Sequence, residues 1–161
     1  MSSIRFVGMA ALVAAALSSG YLKPQENQVD PWTAQQFMPP DALAKRLAPG
    51  AKPPVIISVA FPVLYRNRHI ETALFAGPGR DAEGIAALKA AVKDLPKDTE
   101  IVIYCGCCPM DHCPNLRPAF RALKELGYTK IHALNIPTNF NTDWVTKGYP
   151  VAPPVAPMAG E

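Results

Sequence analysis

Residues 101–115 read IVIYCGCCPMDHCPN, and we interpret the rest of the chain as support for this segment. A short apolar run rich in β-branched residues ends at Cys105, and a tight loop then leads into a helical pattern. All four cysteines of the chain lie between Cys105 and Cys113. Because loop amides and a helix N-terminus carry partial positive charge, a thiol that a strand delivers there is favoured as the thiolate. The segment therefore predicts a reactive Cys105 at the end of a buried strand.

Composition and charge indicate a single globular domain. The chain has 161 residues, 49% hydrophobic and 18% charged, which is enough to bury a substantial core. Its formal net charge of +3 is too small to indicate nucleic acid or an anionic membrane surface as a partner. We therefore expect a small-molecule or protein partner instead.

The N-terminus has the three parts of a secretory signal. Arg5 supplies a positive charge, residues 6–17 form an apolar run, and residues 18–20 are small. The run is shorter than the roughly 20 residues that a membrane-spanning helix needs. We predict a signal peptide over residues 1–20 and a periplasmic or secreted protein with no membrane span after its removal. An ordinary core helix and an uncleaved anchor are the alternatives.

The remaining chain divides into three parts. Residues 21–36 are polar without a clear period and are predicted to be an N-terminal extension that covers the surface. Residues 37–151 carry the periodic apolar patterns of one domain. Residues 152–161 are rich in proline, with little that could pack, and are predicted to be a disordered tail.

Helical and extended patterns alternate along the domain. Apolar runs predict strands over residues 55–60, 101–104 and 131–136, and apolar stripes predict helices over residues 42–47, 82–95 and 116–126. Asn115 stands at the N-cap position of the last helix. This alternation predicts an α/β fold with a central, mainly parallel sheet flanked by helices. Sites in such sheets form at the carboxyl ends of strands, which is where Cys105 stands.

The spacing of the cysteines favours chemistry over cross-linking. An exported protein enters an oxidising compartment, where cysteines spread along a chain usually form disulfides. Here all four cysteines span one short loop. Because a disulfide stabilises most when it closes a long loop, bridges within this loop would add little.

Four segments together resemble the rhodanese-like domain family. They are PVIISVA (54–60), YRNRHIETA (65–73), IVIYC (101–105) and the C-terminal half that begins with LKELGY (123–128). The second segment is similar to the family's turn around a His-Ile pair, and the third matches the strand that ends in the active-site cysteine. The resemblance covers residues 37–151.

The resemblance implies sulfurtransferase activity through a cysteine persulfide. Cys105 would be the catalytic nucleophile, taking sulfane sulfur from a thiosulfate-like donor and passing it to a thiol acceptor or a sulfur-relay protein. No cofactor and no metal ion are implied. We expect auxiliary roles for the other thiols and substrate binding by three neighbours of the loop; these residues are Cys107, Cys108 and Cys113, and Gly106, His112 and Arg117.

The segment departs from the family pattern at two places. Family loops often carry an arginine beside the cysteine, where this chain has Gly106, and the loop is longer by about four residues, which a surface loop tolerates. The early strand usually ends in an Asp-x-Arg element, whereas this chain has Ser58-Val59-Ala60. Both departures bear on which donor the site accepts.

Two other chemistries fit the same cysteines. Cys105 and Cys108 form a C-x-x-C pair, the spacing of thiol–disulfide oxidoreductases. The four thiols together with His112 also provide ligands for a soft metal ion such as Cu(I) or Zn(II). One short loop, however, closes a zinc tetrahedron with difficulty, because structural zinc sites usually draw ligand pairs from two segments.

Overall fold

The computed structural model describes residues 29–155, which form a parallel sheet with helices on both faces. The strands are β1 (Phe37–Met38), β2 (Val55–Ser58), β3 (His69–Ile70), β4 (Leu74–Phe75), β5 (Glu100–Tyr104), β6 (Lys130–Leu134) and β7 (Val151–Ala152). The α-helices are α1 (Pro40–Arg46), α2 (Pro62–Asn67), α3 (Ala82–Val92) and α4 (Leu116–Glu125). Short 3-10 turns cover Ala34–Gln36 and Met110–His112, and a π-helical turn covers Asn141–Val145.

The main sheet has five strands in the order β1-β6-β5-β2-β4, and all neighbouring pairs are parallel. Strands β3 and β7 pair separately as an antiparallel ribbon. This architecture confirms the predicted α/β class with a parallel sheet. Since β5 is the central strand, with β2 and β6 on either side, its carboxyl end lies in the middle of one edge of the sheet.

The core has two halves, one on each face of the sheet. Along β5, Ile101 and Ile103 face the half that contains α3 and α4, whereas Val102 and Tyr104 face the half that contains Trp144. This alternation follows from the period of two along a strand. Each fully buried side chain of this kind contributes about 1.5–3 kcal/mol to folding. The same alternation directs Cys105, the next residue, toward the α3 and α4 side.

The apolar patterns predicted the main strands and helices closely, including the short α1 (Pro40–Arg46, predicted over residues 42–47), whereas α2, β3 and β4 were missed. Strand β5 and helix α4 lie within one residue of the predicted bounds. Strand β2 ends at Ser58 instead of Ala60, and α3 ends at Val92 instead of Leu95. The predicted loop between β2 and α3 contains α2, β3 and β4, which are too short for their periodicity to be read.

The described parts of the two flanking segments, residues 29–36 and 152–155, make contacts that the sequence did not indicate. Trp32 lies in the predicted surface extension, yet it is buried and packs edge-on against Phe120, with ring centroids 5.4 Å apart. Ala152 and Val155 lie in the predicted disordered tail, yet Ala152 pairs with His69 across the ribbon and the amide of Val155 donates to the carbonyl of Arg66 at 2.8 Å. These backbone hydrogen bonds hold a proline-rich segment that has little apolar surface of its own.

The predicted signal peptide over residues 1–20 lies outside the described residues, as do residues 156–161 of the predicted tail. Within residues 29–155, none of the helices has both the length and the apolar character needed to cross a membrane.

Candidate functional site

The chain turns sharply at the end of β5, directly after Cys105. Gly106 adopts a φ of +74°, a left-handed conformation that side chains other than hydrogen disfavour. A Cβ at this position would lie 2.7 Å from the Cβ of Phe140. The amide of Phe140 also donates to the carbonyl of Gly106 at 3.0 Å. Backbone conformation and close packing therefore both require glycine here, where the related family often has arginine.

The loop then returns to the sulfur of Cys105. The amide of Met110 donates to the carbonyl of Ile136 at 3.2 Å, which fastens the middle of the loop beyond the end of β6. The 3-10 turn that follows closes when the amide of Cys113 donates to the carbonyl of Met110 at 3.2 Å. Cys113 is thereby brought to the start of α4, next to Cys105.

Three sulfur atoms meet at this point. The Sγ atoms of Cys105 and Cys107 are 3.2 Å apart, and those of Cys105, Cys107 and Cys113 all lie within 4.8 Å of one another. We call these three residues the thiol cluster. The Sγ atom of Cys108 lies 3.1 Å from that of Cys107 and belongs to the edge of the cluster. The sulfur of Cys105 therefore contacts that of Cys107, whereas Cys108, the partner in the predicted C-x-x-C pair, contacts Cys107.

The pKa values of Cys113 and Cys105 are shifted in opposite directions. The thiols of Cys105 and Cys107, and then the amides of Asn115 and Leu116 at the start of α4, lower the pKa of Cys113 well below that of a free cysteine. The contact with Cys107 lowers the pKa of Cys105, but its contact with Cys113 and its burial outweigh this, so the pKa of Cys105 is raised. We expected the helix N-terminus to favour the thiolate on Cys105. The backbone amides at the start of α4 instead contact Cys113, and the side-chain amide of Asn115 contacts Cys105.

Asn115 holds Cys105 through its side chain. Its Nδ2 donates to the Sγ atom of Cys105 at 3.3 Å, and its Oδ1 accepts from the amide of Arg80 at 3.2 Å. Asn115 is fully buried and makes no capping hydrogen bond with α4, although the sequence predicted an N-cap. The amide instead contributes to lowering the pKa of Cys105. A polar residue two positions after the last cysteine was the available signal for this role.

Cys105 opens onto a cavity of about 260 Å³ at the carboxyl edge of the sheet. Its lining combines the start of the loop with the α2 region and the segment after β6; the polar members include Tyr65, Asn67, Arg68, Asn139 and Asn141. Among the lining residues in the described part of the chain, Arg68 alone carries a charge. Arg68 lies within the segment that resembles the family's turn, and no pattern in the sequence indicated its position beside the cysteine loop.

Two of the predicted substrate-binding residues lie elsewhere. The Nη2 atom of Arg117 is 2.7 Å from the Oδ1 atom of Asp30, and its guanidinium lies over the ring of Trp32. Arg117 lines a different cavity, of about 380 Å³, and its side chain is only 6% exposed. His112 is exposed and paired with Asp111 at 2.8 Å. Of the three predicted neighbours, Gly106 is the one that lines the Cys105 cavity.

Comparison with known proteins identifies a family whose model matches this chain and solved structures that share its fold. A family model described as the rhodanese-like domain matches residues 39–135. The solution structure of the rhodanese-like domain of the Alr3790 protein from Anabaena sp. is 18% identical, covers 78% of this chain and 87% of that chain, and has a TM-score of 0.56. The crystal structure of the BH2092 protein from Bacillus halodurans is 18% identical, covers 75% and 80%, and has a TM-score of 0.57. These structures share the fold, and no curated protein matches the chain significantly.

Proposed function

The chain belongs to the rhodanese-like domain family, and from that premise we propose that it is a sulfurtransferase that carries sulfane sulfur as a persulfide on Cys105. One observation carries the proposal. Cys105 follows the central strand at the carboxyl edge of the sheet, and it lines a cavity large enough for a small donor. A side-chain amide donates to its sulfur, as a developing thiolate requires.

In the first step, the sulfur of Cys105 attacks the outer sulfur of a thiosulfate-like donor. Cys105 reacts as its thiolate, after its proton has been released to solvent. The new S–S bond forms as the S–S bond of thiosulfate breaks, and sulfite leaves with the electron pair. The products are the Cys105 persulfide and sulfite, with no net oxidation. Asn115 stabilises the charge on Cys105 while the bond forms.

In the second step, an acceptor thiolate attacks the outer sulfur of the Cys105 persulfide. The acceptor becomes the persulfide, and the electron pair returns to the sulfur of Cys105. The cavity of about 260 Å³ is lined by several polar side chains, which suits a small thiol or a cysteine on a partner protein. Cys107 and Cys113 are the auxiliary thiols of this scheme, since their sulfurs lie close to that of Cys105, and no step is assigned to Cys108.

Arg68 is the residue that we assign to the anionic part of the donor. It is exposed and lines the Cys105 cavity, and a guanidinium is suited to bind an anionic donor. This assignment replaces Arg117, whose guanidinium is neutralised by Asp30 and lines the other cavity.

A thiol–disulfide reaction is the second candidate function, and the distance between Cys105 and Cys107 favours it. At 3.2 Å, the thiolate of Cys107 could attack the inner sulfur of the Cys105 persulfide. The products would be a Cys105–Cys107 disulfide and hydrosulfide, with the sulfane sulfur reduced as the two cysteines are oxidised. Loss of two hydrogen atoms from the intact mass distinguishes this outcome from the gain of one sulfur.

We also propose that the protein acts outside the cytoplasm, on the basis of the signal-like residues 1–20. Expression of the full chain in a bacterial host tests this. We expect the mature protein in the periplasmic or extracellular fraction, with its N-terminus near residue 21. Recovery of the uncleaved chain in the cytoplasm would contradict export and leave the chemistry of the cavity unaffected.

A steady-state assay with thiosulfate and a small dithiol tests the proposed activity. We expect the wild-type protein to release sulfite, and the rate of release should fall to background in Cys105→Ser. Cys108→Ser is the matched control, because it removes a thiol of the same loop from the edge of the thiol cluster. Equal activity in Cys105→Ser and wild type would refute the proposal, as would the absence of turnover with all sulfane donors tested.

A further inference from the structure

The thiol cluster has the geometry of a metal site as well as that of a sulfur carrier. The three Sγ atoms of Cys105, Cys107 and Cys113 lie within 4.8 Å of one another. Three thiolates around one ion at the ~2.3 Å of a metal–thiolate bond are about 4 Å apart. The sulfurs therefore need only small movements to surround an ion.

The surroundings of the cluster suit a soft ion. Cys105 and Cys113 are 4% and 2% exposed, whereas Cys107 is half-buried and lines the Cys105 cavity. A void of about 10 Å³ is lined by Cys105, Cys113 and Cys108; its remaining lining is mostly apolar and includes Met110, Leu116, Leu134 and Ile136. Buried thiols in mostly apolar surroundings disfavour ions that retain their waters, and an ion can enter from the cavity past Cys107.

A second layer of hydrogen bonds holds the ligands in place. The Nδ2 atom of Asn115 donates to the sulfur of Cys105, and Asn115 is itself fixed by the amide of Arg80. Outer contacts of this kind orient ligands and tune their affinity for the metal. Cys113 is held between the turn of Met110–His112 and the start of α4, so two of the three ligands lie on well-anchored backbone.

The number of ligands selects the ion. Zinc prefers four ligands in a tetrahedron. The fourth thiol, Cys108, contacts Cys107 at 3.1 Å but is outside the group of three sulfurs that all lie within 4.8 Å of one another, and His112 is exposed and paired with Asp111. Cu(I) is soft, prefers thiolates and is satisfied by three ligands in a plane. Mg²⁺ and Ca²⁺ need oxygen ligands, which the cluster does not provide.

We propose that Cys105, Cys107 and Cys113 form a trigonal thiolate site that binds one Cu(I) ion. Copper enters and remains as Cu(I), and each thiol that becomes a ligand releases its proton to solvent, so no electron is transferred. The site does not depend on sulfur transfer. If both functions hold, the bound Cu(I) ion is coordinated by the sulfur of Cys105 and prevents formation of the persulfide.

Anaerobic competition with a chromogenic Cu(I) chelator tests the proposal, with the full chain kept reduced by a phosphine. We expect one Cu(I) per chain in wild type. Cys107→Ser and Cys113→Ser should each weaken binding by about 100-fold or more, beyond the ~10–100-fold typical of losing an outer-shell partner. Cys108→Ser should bind within a few-fold of wild type.

X-ray absorption of the copper-loaded wild-type protein gives an answer that does not depend on variants folding. We expect three sulfur neighbours at a single short distance. Two sulfur neighbours, or binding too weak to compete with the chelator, would overturn the proposal. So would an equal loss in Cys108→Ser and Cys113→Ser. Sulfite release by metal-free protein reports separately on the sulfurtransferase, so failure of either function is recognised by itself.

Discussion

The Nδ2 atom of Asn115 lies 3.3 Å from the Sγ atom of Cys105, and the Oδ1 atom of the same side chain accepts a hydrogen bond from the amide of Arg80. Since a backbone N–H can only donate, this contact fixes which end of the Asn115 amide faces the sulfur. The start of α4 is thereby tied both to the α3 side of the fold and to the cysteine at the end of β5. Asn115 is a positioning residue that favours the charged form of Cys105.

Replacing Asn115 should change the pH dependence of sulfur loading. The amide lowers the pKa of Cys105, so its loss should raise that pKa and move the rise in the rate of sulfite release to higher pH. Asn115→Asp keeps an acceptor for Arg80 and removes the donor to sulfur, whereas Asn115→Ala removes both. We expect the upward shift in both variants, with a loss of about 10–100-fold in kcat/KM at neutral pH.

Stopped-flow measurement of the first turnover at a series of pH values gives the dependence of the sulfur-loading rate on pH. A purely structural role for Asn115 would lower the unfolding midpoint and leave the shape of the profile unchanged. An unshifted profile in both variants would show that the hydrogen bond does not act on the nucleophile.

Removing the charge of Arg68 should weaken donor binding selectively. Arg68 is the charged residue that lines the Cys105 cavity, so Arg68→Gln should raise the KM for thiosulfate about tenfold, which corresponds to about 1.4 kcal/mol, and leave kcat nearly unchanged. A neutral persulfide donor should show little change. Lys89→Gln, on the exposed part of α3, removes the same charge far from the cavity and serves as the control.

Initial rates over a range of donor concentrations separate the two effects. Equal increases in KM for the anionic and neutral donors would contradict electrostatic recognition by Arg68. An unchanged KM for thiosulfate would remove Arg68 from the site.

Adding a methyl group at Gly106 should destabilise the fold more than the same change at another left-handed glycine. Gly106 and Gly50 have φ values of +74° and +84°, but a Cβ at Gly106 would meet Phe140 at 2.7 Å, and a Cβ at Gly50 would meet no atom within 4 Å. Gly50→Ala should cost about 1–2 kcal/mol from backbone conformation alone. Gly106→Ala should cost a further 1–3 kcal/mol, roughly the range for overpacking.

Urea unfolding of wild type, Gly50→Ala and Gly106→Ala measures the loss of unfolding free energy in each variant. Equal losses would mean that Phe140 moves aside without cost, and that Gly106 is needed only for its φ angle. Since Phe140 also lines the cavity, a larger loss in Gly106→Ala should be accompanied by reduced sulfite release.

The sequence predicted those parts of the fold and site that depend on local periodicity. The apolar runs of β5 and β6 and the stripe of α4 were sufficient to predict Cys105 at the end of a buried strand, and the strand order shows that this strand is the central one. Periodicity could not predict the path by which the loop returns to Cys105, because that path depends on the backbone hydrogen bond from Met110 to Ile136. For that reason the convergence of three sulfurs could not be deduced from spacing alone.

Contacts between residues far apart in the sequence explain the remaining differences between the predicted and the observed positions of side chains. Arg117 was expected to bind substrate because it follows the loop in sequence, but Asp30, which is 87 residues away, takes its guanidinium. Arg68 comes from a short segment between α2 and β3 that has no periodicity to read. Trp32 belongs to a polar stretch, and its place in the core depends on Phe120 of the folded α4, with Phe37 and Arg117 also against its ring.

The central claim is that Cys105 holds the transferred sulfur, and mass spectrometry after a single loading reaction tests it most directly. Metal-free, reduced protein is treated with thiosulfate, trapped with an alkylating reagent and digested. We expect one added sulfur atom on the peptide that contains Cys105 in wild type and Cys108→Ser, removed by a thiol acceptor and absent in Cys105→Ser. Added sulfur located on Cys107, Cys108 or Cys113 while Cys105 remains an unmodified thiol would contradict the account.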